Sequence, residues 1–195
     1  AVYPSNIMGA SKRLCEKYIQ RISNSSKNTA FSIVRFGNVL GSTGSVVPLF
    51  EQQIKNGGPI TITDPSVTRY FMTIREAVEL VLISSQLKNN ENGGIFILEM
   101  GDSVLIKDLA KRMIALSGKN ESEIKIVYTG LRKGEKISEK LFFKKEKVKK
   151  TEIPGILYTN DKLYEIDTPS YANLSSLIMK NNFDAIIGKF KEMVP

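Results

Sequence analysis

Three arginines in this sequence have positions from which they can bind an anionic ligand. Arg35 ends a short apolar run, Arg69 precedes a hydrophobic segment, and Arg132 is closely followed by Glu135. A guanidinium group binds phosphate through paired hydrogen bonds, and a carboxylate such as Glu135 suits paired sugar hydroxyls. For any one of these arginines taken alone, an ion pair with a surface carboxylate is the simpler explanation.

A glycine-rich loop over residues 37–45 is the second candidate for ligand binding. It follows the predicted C-terminal end of a buried strand, which is where doubly wound folds bind their ligands. The backbone N–H groups of Gly41-Ser42-Thr43-Gly44 can form an anion nest, although loops of this composition are common. No G-x-G-x-x-G segment occurs in the sequence, so the dinucleotide-binding fingerprint is absent.

The composition excludes several kinds of catalysis. The 195 residues include no histidine and a single cysteine, Cys15. A zinc or haem cluster therefore cannot be assembled from the usual ligands, and we predict no metal site. Because Ser-His and Cys-His pairs are also impossible, any acid-base chemistry must use Asp, Glu, Lys or Tyr.

The net charge of +8 is concentrated in one segment. Residues 132–150 contain nine basic and three acidic side chains, a local charge of +6. A solvated helix face is the simpler explanation, and an anionic ligand, a membrane surface or a nucleic acid are the alternatives. Aromatic residues do not alternate with these lysines as they do in single-strand binders, and we expect no nucleic-acid partner.

Hydrophobic spacing predicts alternating helices and strands. Residues 5–23 have the three- and four-residue spacing of an amphipathic helix, and residues 30–34 form an apolar run typical of a buried parallel strand. Further strands are predicted at 60–63, 95–98 and 124–128. Further helices are predicted at 47–55, 74–87, 106–117 and 137–143, with one or two within 172–191. This order indicates an α/β fold.

Four motifs, taken in order, resemble a known family. They are Asn6-Ile7-Met8-Gly9-Ala10-Ser11-Lys12-Arg13, then Val34-Arg35-Phe36-Gly37-Asn38-Val39-Leu40-Gly41-Ser42 with Gly44-Ser45-Val46-Val47-Pro48, then Thr68-Arg69-Tyr70-Phe71-Met72-Thr73, and finally Gly130-Leu131-Arg132-Lys133-Gly134-Glu135-Lys136. Together they resemble the nucleotide-sugar 4,6-dehydratases of bacterial surface polysaccharide synthesis. These extended short-chain dehydrogenase/reductases include the capsular-polysaccharide and protein-glycosylation UDP-N-acetylglucosamine dehydratases. The resemblance covers roughly residues 1–143.

The resemblance implies a fold and a division of the chain. We expect the C-terminal part of a doubly wound, Rossmann-type parallel sheet together with a small α/β substrate-binding domain. Residues 1–143 would hold these interleaved elements, and residues 144–195 would form a basic linker and a mainly helical tail. Since Ala1 is not an initiator methionine and the glycine-rich cofactor loop is absent, we expect a longer protein of which this is the C-terminal portion.

The resemblance also implies how the chain meets its NAD cofactor. Family members carry a Tyr-x-x-x-Lys pair beside the nicotinamide, and here Lys12 matches the lysine whereas Met8 occupies the tyrosine position. A thioether cannot accept a proton, so Met8 would only shape the pocket. The membrane-anchored branch of the family is similar in carrying methionine there, with its acid-base residues in an upstream Thr-Asp segment. Lys12, Phe36 and Gly37 are the expected cofactor-binding residues.

Substrate contacts follow from the same resemblance. Asn38 and the backbone near Ser45 and Val46 would bind the sugar phosphate, and Thr61 would lie near the uracil. Arg69 and Arg132 would clamp the diphosphate beside the Lys12 amine, and Glu135 would accept the ribose hydroxyls. The substrate-binding residues expected from the family are therefore Asn38, Ser45, Val46, Thr61, Arg69, Arg132 and Glu135.

The expected activity is that of an NAD-dependent UDP-sugar 4,6-dehydratase, a lyase acting on UDP-N-acetylglucosamine in bacterial capsular polysaccharide or glycan biosynthesis. The alternatives are a UDP-sugar 4-epimerase of the same family and a non-catalytic sugar-nucleotide-binding domain. We expect the fragment alone to be inactive and to bind NAD weakly. A homo-oligomer is expected, located in the cytoplasm or, through a missing N-terminal region, at the cytoplasmic face of the inner membrane.

Overall fold

Helices and strands alternate along most of the chain. The computed structural model describes residues 2–87, 92–161 and 166–194. The elements in chain order are α1 (Ile7–Ser25), β1 (Ser32–Arg35), β2 (Asn38–Val39), α2 (Val46–Lys55), β3 (Ile60–Ile62), β4 (Thr68–Arg69), β5 (Phe71–Met72), α3 (Ile74–Gln86), β6 (Gly94–Leu98), β7 (Val104–Leu105), α4 (Ile106–Leu116), β8 (Ile126–Tyr128), β9 (Lys149–Lys150), β10 (Ile156–Thr159), α5 (Thr168–Met179) and α6 (Phe183–Met193). Within the described ranges, no helix is both long and apolar enough to cross a membrane.

The chain forms two compact units. The first comprises Ala1–Arg35, Ile83–Leu98 and Lys140–Pro195, and the second comprises Phe36–Leu82 and Glu99–Glu139. The second unit is thus made from two segments inserted between parts of the first. The predicted division at residue 143, between an interleaved body and a basic tail, stays a prediction.

The first unit contains a four-stranded sheet in the order β1-β6-β10-β9. β1 and β6 pair in parallel with Val34 opposite Phe96, and β10 pairs with β6 in the antiparallel sense. The side chains of Ile95, Phe96 and Ile97 in β6 are fully buried. A strand that is covered on both faces needs such a continuous apolar run, which explains why this segment was recognisable from the sequence.

Three helices of the first unit share one small apolar cluster. It contains Ala10 and Leu14 from α1, Leu174 from α5, and Phe190 and Met193 from α6. The four-residue step from Ala10 to Leu14 places both on one face of α1, as the amphipathic pattern requires. This packing fixes the side of α1 that is turned inward.

The second unit has its own core between two helices and a pair of parallel strands. β3 and β8 pair with Ile60 opposite Ile126, and the side chains of Ile60 and Ile62 point into the core. Phe50 of α2 and Ile114 of α4 pack in the same cluster. Because side chains alternate along a strand, Thr61 is directed to the opposite face of β3.

One predicted element is wrong. Residues 137–143 do not form a helix, and the main-chain oxygen of Ile137 instead accepts hydrogen bonds from the Thr68 N–H at 2.9 Å and from Nη1 of Arg69 at 3.1 Å. A helical carbonyl would bond four residues ahead. These bonds to β4, far away in the sequence, outweigh the local apolar spacing. The other predicted helices and strands are confirmed to within a few residues.

Candidate functional site

Arg69 lies in the second unit with part of its hydrogen-bonding capacity unused. Its Nη1 donates to the carbonyl oxygens of Thr68, at 2.7 Å, and Ile137, at 3.1 Å. Its Nε and Nη2 face Glu139 at 3.7 Å and Glu135 at 3.8 Å, and the side chain is only 13% exposed. Both carboxylates are beyond hydrogen-bonding distance. A largely buried guanidinium therefore presents its Nε–Nη2 edge, which suits bidentate oxyanion binding, between two carboxylates.

Glu135 joins Arg69 to the loop that carries Arg132. Its Oε1 accepts a hydrogen bond from Oγ1 of Thr63 at 2.8 Å, and its Oε2 accepts one from the main-chain N–H of Arg132 at 3.2 Å. The side chain of Arg132 is exposed. The structure thus brings the Arg69 guanidinium and the Glu135 carboxylate together, although the two residues are more than sixty positions apart in the sequence, and Glu135 is bonded to the main chain of Arg132.

Thr61 is held by α2. Nε2 of Gln53 donates to Oγ1 of Thr61 at 2.8 Å, and the Thr61 main-chain N–H donates to Oε1 of Gln53 at 3.1 Å. Oγ1 of Thr63, two residues later, donates a hydrogen bond to Glu135. β3 ends at Ile62, so Thr63 lies in the bend that follows the strand and connects it to Glu135.

The segment after β1 is positioned by a short parallel pairing of β2 with β5. The main-chain N–H of Asn38 donates to the carbonyl oxygen of Tyr70 at 2.7 Å. A Cβ on Gly37 would lie 2.7 Å from both the Cβ and the oxygen of Tyr70. Glycine is therefore required at this position because the two backbones approach so closely. Phe36, just before it, is half-buried.

The glycine-rich loop ends at the N-terminus of α2. Gly41 and Gly44 have φ values of +72° and +75°, in the left-handed region that favours glycine. Ser45 is the N-cap and Val46 is the first helical residue, but the Ser45 side chain makes no capping bond. Its Oγ is buried with no hydrogen-bond partner in the described parts of the chain. A buried hydroxyl without a partner is unusual in a folded protein, and a hydrogen bond to a bound group would satisfy it.

Met8 and Lys12 lie on α1, in the first unit. Asn6 caps the helix by accepting a hydrogen bond from the Gly9 N–H at 2.8 Å. Both Met8 and Lys12 are exposed, and the four-residue step places them on the same side of the helix. The predicted convergence of Lys12 with Arg69 and Arg132 stays a prediction, because these residues belong to different units.

Arg35, one of the three candidate anion receptors, is engaged within the protein. It is buried, and its Nε and Nη2 donate to the two oxygens of Glu16 at 2.9 and 3.0 Å while its Nη1 donates to Glu146 at 2.9 Å. Nη1 of Arg13 donates to Glu16 at 2.6 Å. The two arginines and two glutamates form a buried four-charge cluster. The simpler explanation, an ion pair, is correct for this arginine, but its carboxylate partners are buried and not at the surface.

The cluster strongly favours the ionised form of Glu16. Burial alone would raise the pKa of this carboxyl, but the hydrogen bond and the charge of Arg35 outweigh burial and, with Arg13, lower the pKa to about 2. For Arg35, burial opposes the charge, and Glu16 and Glu146 nevertheless raise its pKa. Glu16 therefore remains charged throughout the physiological range.

Three residues of the site were not among the sequence candidates. Gln53 orients Thr61, Thr63 orients Glu135, and Glu139 faces Arg69. The alternation of Ile60-Thr61-Ile62-Thr63 was a usable signal for Thr63, since it predicts that the two threonines share a face. Nothing in the sequence linked Gln53 or Glu139 to the site.

The fold places the chain in the α/β class, and comparison with known proteins identifies its family. Residues 1–161 match the model of a family described as polysaccharide biosynthesis protein, and the chain belongs to this family. The capsular polysaccharide biosynthesis protein CapD of Staphylococcus aureus is 54% identical over 146 residues, which are 75% of this chain and 24% of that protein. A UDP-glucose 4-epimerase of Rickettsia bellii is 42% identical over 151 residues, 76% of this chain and 42% of that protein.

Solved structures confirm the fold class. Pen from Bacillus thuringiensis is similar with a TM-score of 0.75 and 37% identity, covering 85% of this chain and 51% of that chain. DesIV, a dTDP-glucose 4,6-dehydratase from Streptomyces venezuelae solved with NAD and TYD, has a TM-score of 0.57 at 20% identity, over 73% of this chain and 44% of that chain. The latter similarity concerns the fold alone. The chain has the Rossmann-type α/β fold of nucleotide-sugar enzymes and spans about a quarter of the length of the Staphylococcus relative.

Proposed function

We propose that this chain is part of an NAD-dependent UDP-sugar 4,6-dehydratase that converts UDP-N-acetylglucosamine to its 4-keto-6-deoxy derivative in surface polysaccharide or glycan synthesis. The observation that carries the proposal is the largely buried Arg69 guanidinium, whose Nε and Nη2 form no hydrogen bond within the described ranges and lie 3.7 and 3.8 Å from two carboxylates. A nucleotide diphosphate supplies the oxygen atoms that such an edge binds. Membership in the polysaccharide biosynthesis family agrees with this ligand class.

The second unit would hold the nucleotide sugar. Arg69 and Arg132 neutralise the diphosphate, and Glu135, oriented by Thr63, accepts the ribose hydroxyls. Thr61, oriented by Gln53, is the proposed neighbour of the uracil. The sugar phosphate is assigned to Asn38 and to the N-terminus of α2 at Ser45 and Val46, where N–H groups and the helix dipole favour an anion.

We assign part of the proposed NAD site to residues of this chain. The exposed ammonium of Lys12 can bind a ribose hydroxyl and favour negative charge developing on the sugar oxygen, and Phe36 and Gly37 are the other proposed cofactor residues. The chain contains no glycine-rich dinucleotide fingerprint, so these residues do not account for the cofactor pyrophosphate. NAD would supply the oxidation at sugar C4 that acidifies the C5 proton. Met8 can shape the pocket but cannot transfer a proton.

A UDP-sugar 4-epimerase is the second candidate. It is favoured by the 42% identity to the Rickettsia protein named as such, and it would use the same nucleotide contacts. Incubation of the intact protein with UDP-N-acetylglucosamine, followed by product analysis by NMR, separates the two activities. A 4-keto-6-deoxy sugar supports the dehydratase, and a C4 epimer supports the epimerase. If UDP binds but neither product forms, a non-catalytic sugar-nucleotide-binding domain is the better conclusion.

The remaining parts of the proposal concern the assembly and its location. We propose a homo-oligomer that acts in the cytoplasm or at the cytoplasmic face of the inner membrane. Exposed apolar side chains on α3, including Ile74, Val78 and Leu82, support the proposal that this helix is covered by another polypeptide surface in the assembly. Light scattering of the intact protein tests this, because a monomer at all concentrations would contradict the oligomer.

A further inference from the structure

The two carboxylates that face Arg69 differ in how firmly they are held. Glu135 accepts hydrogen bonds from Thr63 and from the Arg132 main chain, and its side chain is 21% exposed. Glu139 is 49% exposed, and its oxygen approaches Arg69 Nε only to 3.7 Å. Glu135 is therefore a fixed part of the site, whereas Glu139 can turn into solvent at little cost.

Glu139 faces the donor that a phosphate oxygen would need. Nη1 of Arg69 donates to the carbonyl oxygens of Thr68 and Ile137, and among the residues that the structure describes its Nε–Nη2 edge has no hydrogen-bond partner that an oxyanion would need to replace. Nη2 is next to Glu135 and Nε is next to Glu139. An oxyanion that binds both donors must approach the position of the Glu139 carboxylate, and two anions there repel each other.

On the basis of the proposed function, we propose that Glu139 competes with the diphosphate for Arg69 and is displaced when the nucleotide binds. Without a ligand, Glu139 partly neutralises the guanidinium. With the ligand, a phosphate oxygen takes its place at Nε while Glu135 stays bound to Thr63. The two glutamates on one arginine thus have opposite effects on affinity: Glu135 strengthens nucleotide binding and Glu139 weakens it.

Calorimetric titration of the intact protein with UDP at low salt tests this assignment. Glu139→Gln is expected to tighten UDP binding by about two- to fivefold, the range expected for an exposed ion pair. Glu135→Gln is expected to weaken binding. Glu121→Gln is the matched control, since it removes an exposed carboxylate of the same unit that pairs with Lys111, and it is expected to leave the UDP affinity unchanged.

A double-mutant cycle with Arg69→Gln connects the effect to the arginine. In the Arg69→Gln background, Glu139→Gln is expected to change UDP affinity no more than the control does. Unchanged or weaker UDP binding by Glu139→Gln in the wild-type background would overturn the inference. If Glu139→Gln does not fold, Glu139→Asp is used. Its shorter side chain withdraws from Nε of Arg69, so it is expected to tighten UDP binding to a smaller degree. Weaker UDP binding by this variant would also contradict the inference.

The same titrations distinguish this inference from the proposed function. If Arg69→Gln weakens UDP binding while Glu139→Gln brings no gain, Glu139 is not a competitor but the nucleotide site remains. If wild type and Arg69→Gln bind UDP equally well, the assignment of Arg69 to the diphosphate fails, and the inference fails with it.

Discussion

Arg35 holds Glu16 through two parallel hydrogen bonds of 2.9 and 3.0 Å inside the first unit. Arg35 comes from β1 and Glu16 from α1, so the pair ties the helix to the sheet. Glu146 bonds to the third nitrogen of Arg35 and accepts a further hydrogen bond from the Phe143 N–H. The ring of Phe143 lies 4.7 Å from Arg13 and 5.8 Å from Arg35, which covers the charges with apolar surface.

Replacement of Glu16 by glutamine is expected to destabilise the chain by about 3 kcal/mol, because a buried arginine loses part of its charge compensation. Urea denaturation followed by circular dichroism measures the free energy of unfolding. Glu79→Gln is the matched control: it breaks the exposed Arg75–Glu79 pair and is expected to cost less than about 1 kcal/mol. Equal losses in the two variants would show that the buried cluster contributes no more than a surface pair.

Acid is expected to remove the stabilisation that comes from Glu16. The folded-state pKa of about 2 lies below the ordinary value of 4.5, so the unfolded chain takes up the proton first as the pH falls. The contribution is complete above about pH 4.5 and is lost as the pH falls to about 2, amounting to about 3 kcal/mol. Urea unfolding across this range tests it. Glu16→Gln should show a smaller pH dependence, and an unchanged slope would contradict the assignment.

Arg69→Gln is expected to weaken UDP binding by about tenfold or more, because charge-assisted hydrogen bonds to the diphosphate are lost. Arg69→Lys should restore the charge but only part of the affinity, since an ammonium lacks the planar fork. Arg112→Gln, at an exposed position of α4, is the control for a loss of positive charge in the same unit. Calorimetry with UDP gives the dissociation constants, and equal effects at positions 69 and 112 would point to nonspecific electrostatics.

Lys12→Met is expected to lower kcat by about a hundredfold or more while leaving the dissociation constant of UDP unchanged, because the ammonium acts on the cofactor and the reacting sugar oxygen. Lys27→Met removes another exposed lysine of the first unit and should leave both quantities unchanged. Turnover of UDP-N-acetylglucosamine and calorimetry with UDP provide the two measurements. A loss of UDP affinity as large as the loss of turnover would place Lys12 at the nucleotide instead.

Gly37→Ala is expected to destabilise the second unit by about 1–3 kcal/mol, because the new Cβ would meet the Tyr70 backbone at 2.7 Å. Gly188→Ala is the opposite case. Gly188 lies within α6 and a Cβ added there would meet open space, so the higher helix propensity of alanine should stabilise the chain by about 0.5–1 kcal/mol. Thermal unfolding compares the two, and a stable Gly37→Ala variant would mean that β2 and β5 can separate without cost.

The sequence contained the information for most helices and strands but little about the partners of polar groups. The spacing of apolar residues predicted α1 and the run at β6, because those patterns are local. The contacts of Arg35 were not predictable, since Glu146 lies 111 positions away. The false helix at 137–143 has the same origin, because the carbonyl of Ile137 is engaged by β4.

At the candidate site, too, the sequence identified several residues but not all of their polar partners. Motif resemblance selected Arg69, Arg132 and Glu135, and in the structure Glu135 faces the Arg69 guanidinium and accepts a hydrogen bond from the main chain of Arg132. It did not select Glu139, whose importance depends on which nitrogen of Arg69 the carbonyl groups leave open. That choice is a matter of three-dimensional geometry and leaves no trace in residue spacing.

The buried four-charge cluster has a consequence for synthesis on the ribosome. Glu16 and Arg35 are translated before Glu146, which follows Arg35 by 111 residues, and all of the second unit is translated in between. At cellular elongation rates this delay is on the order of ten seconds. The inserted unit can therefore finish folding before the counter-ion that completes the buried cluster of the surrounding unit has been synthesised.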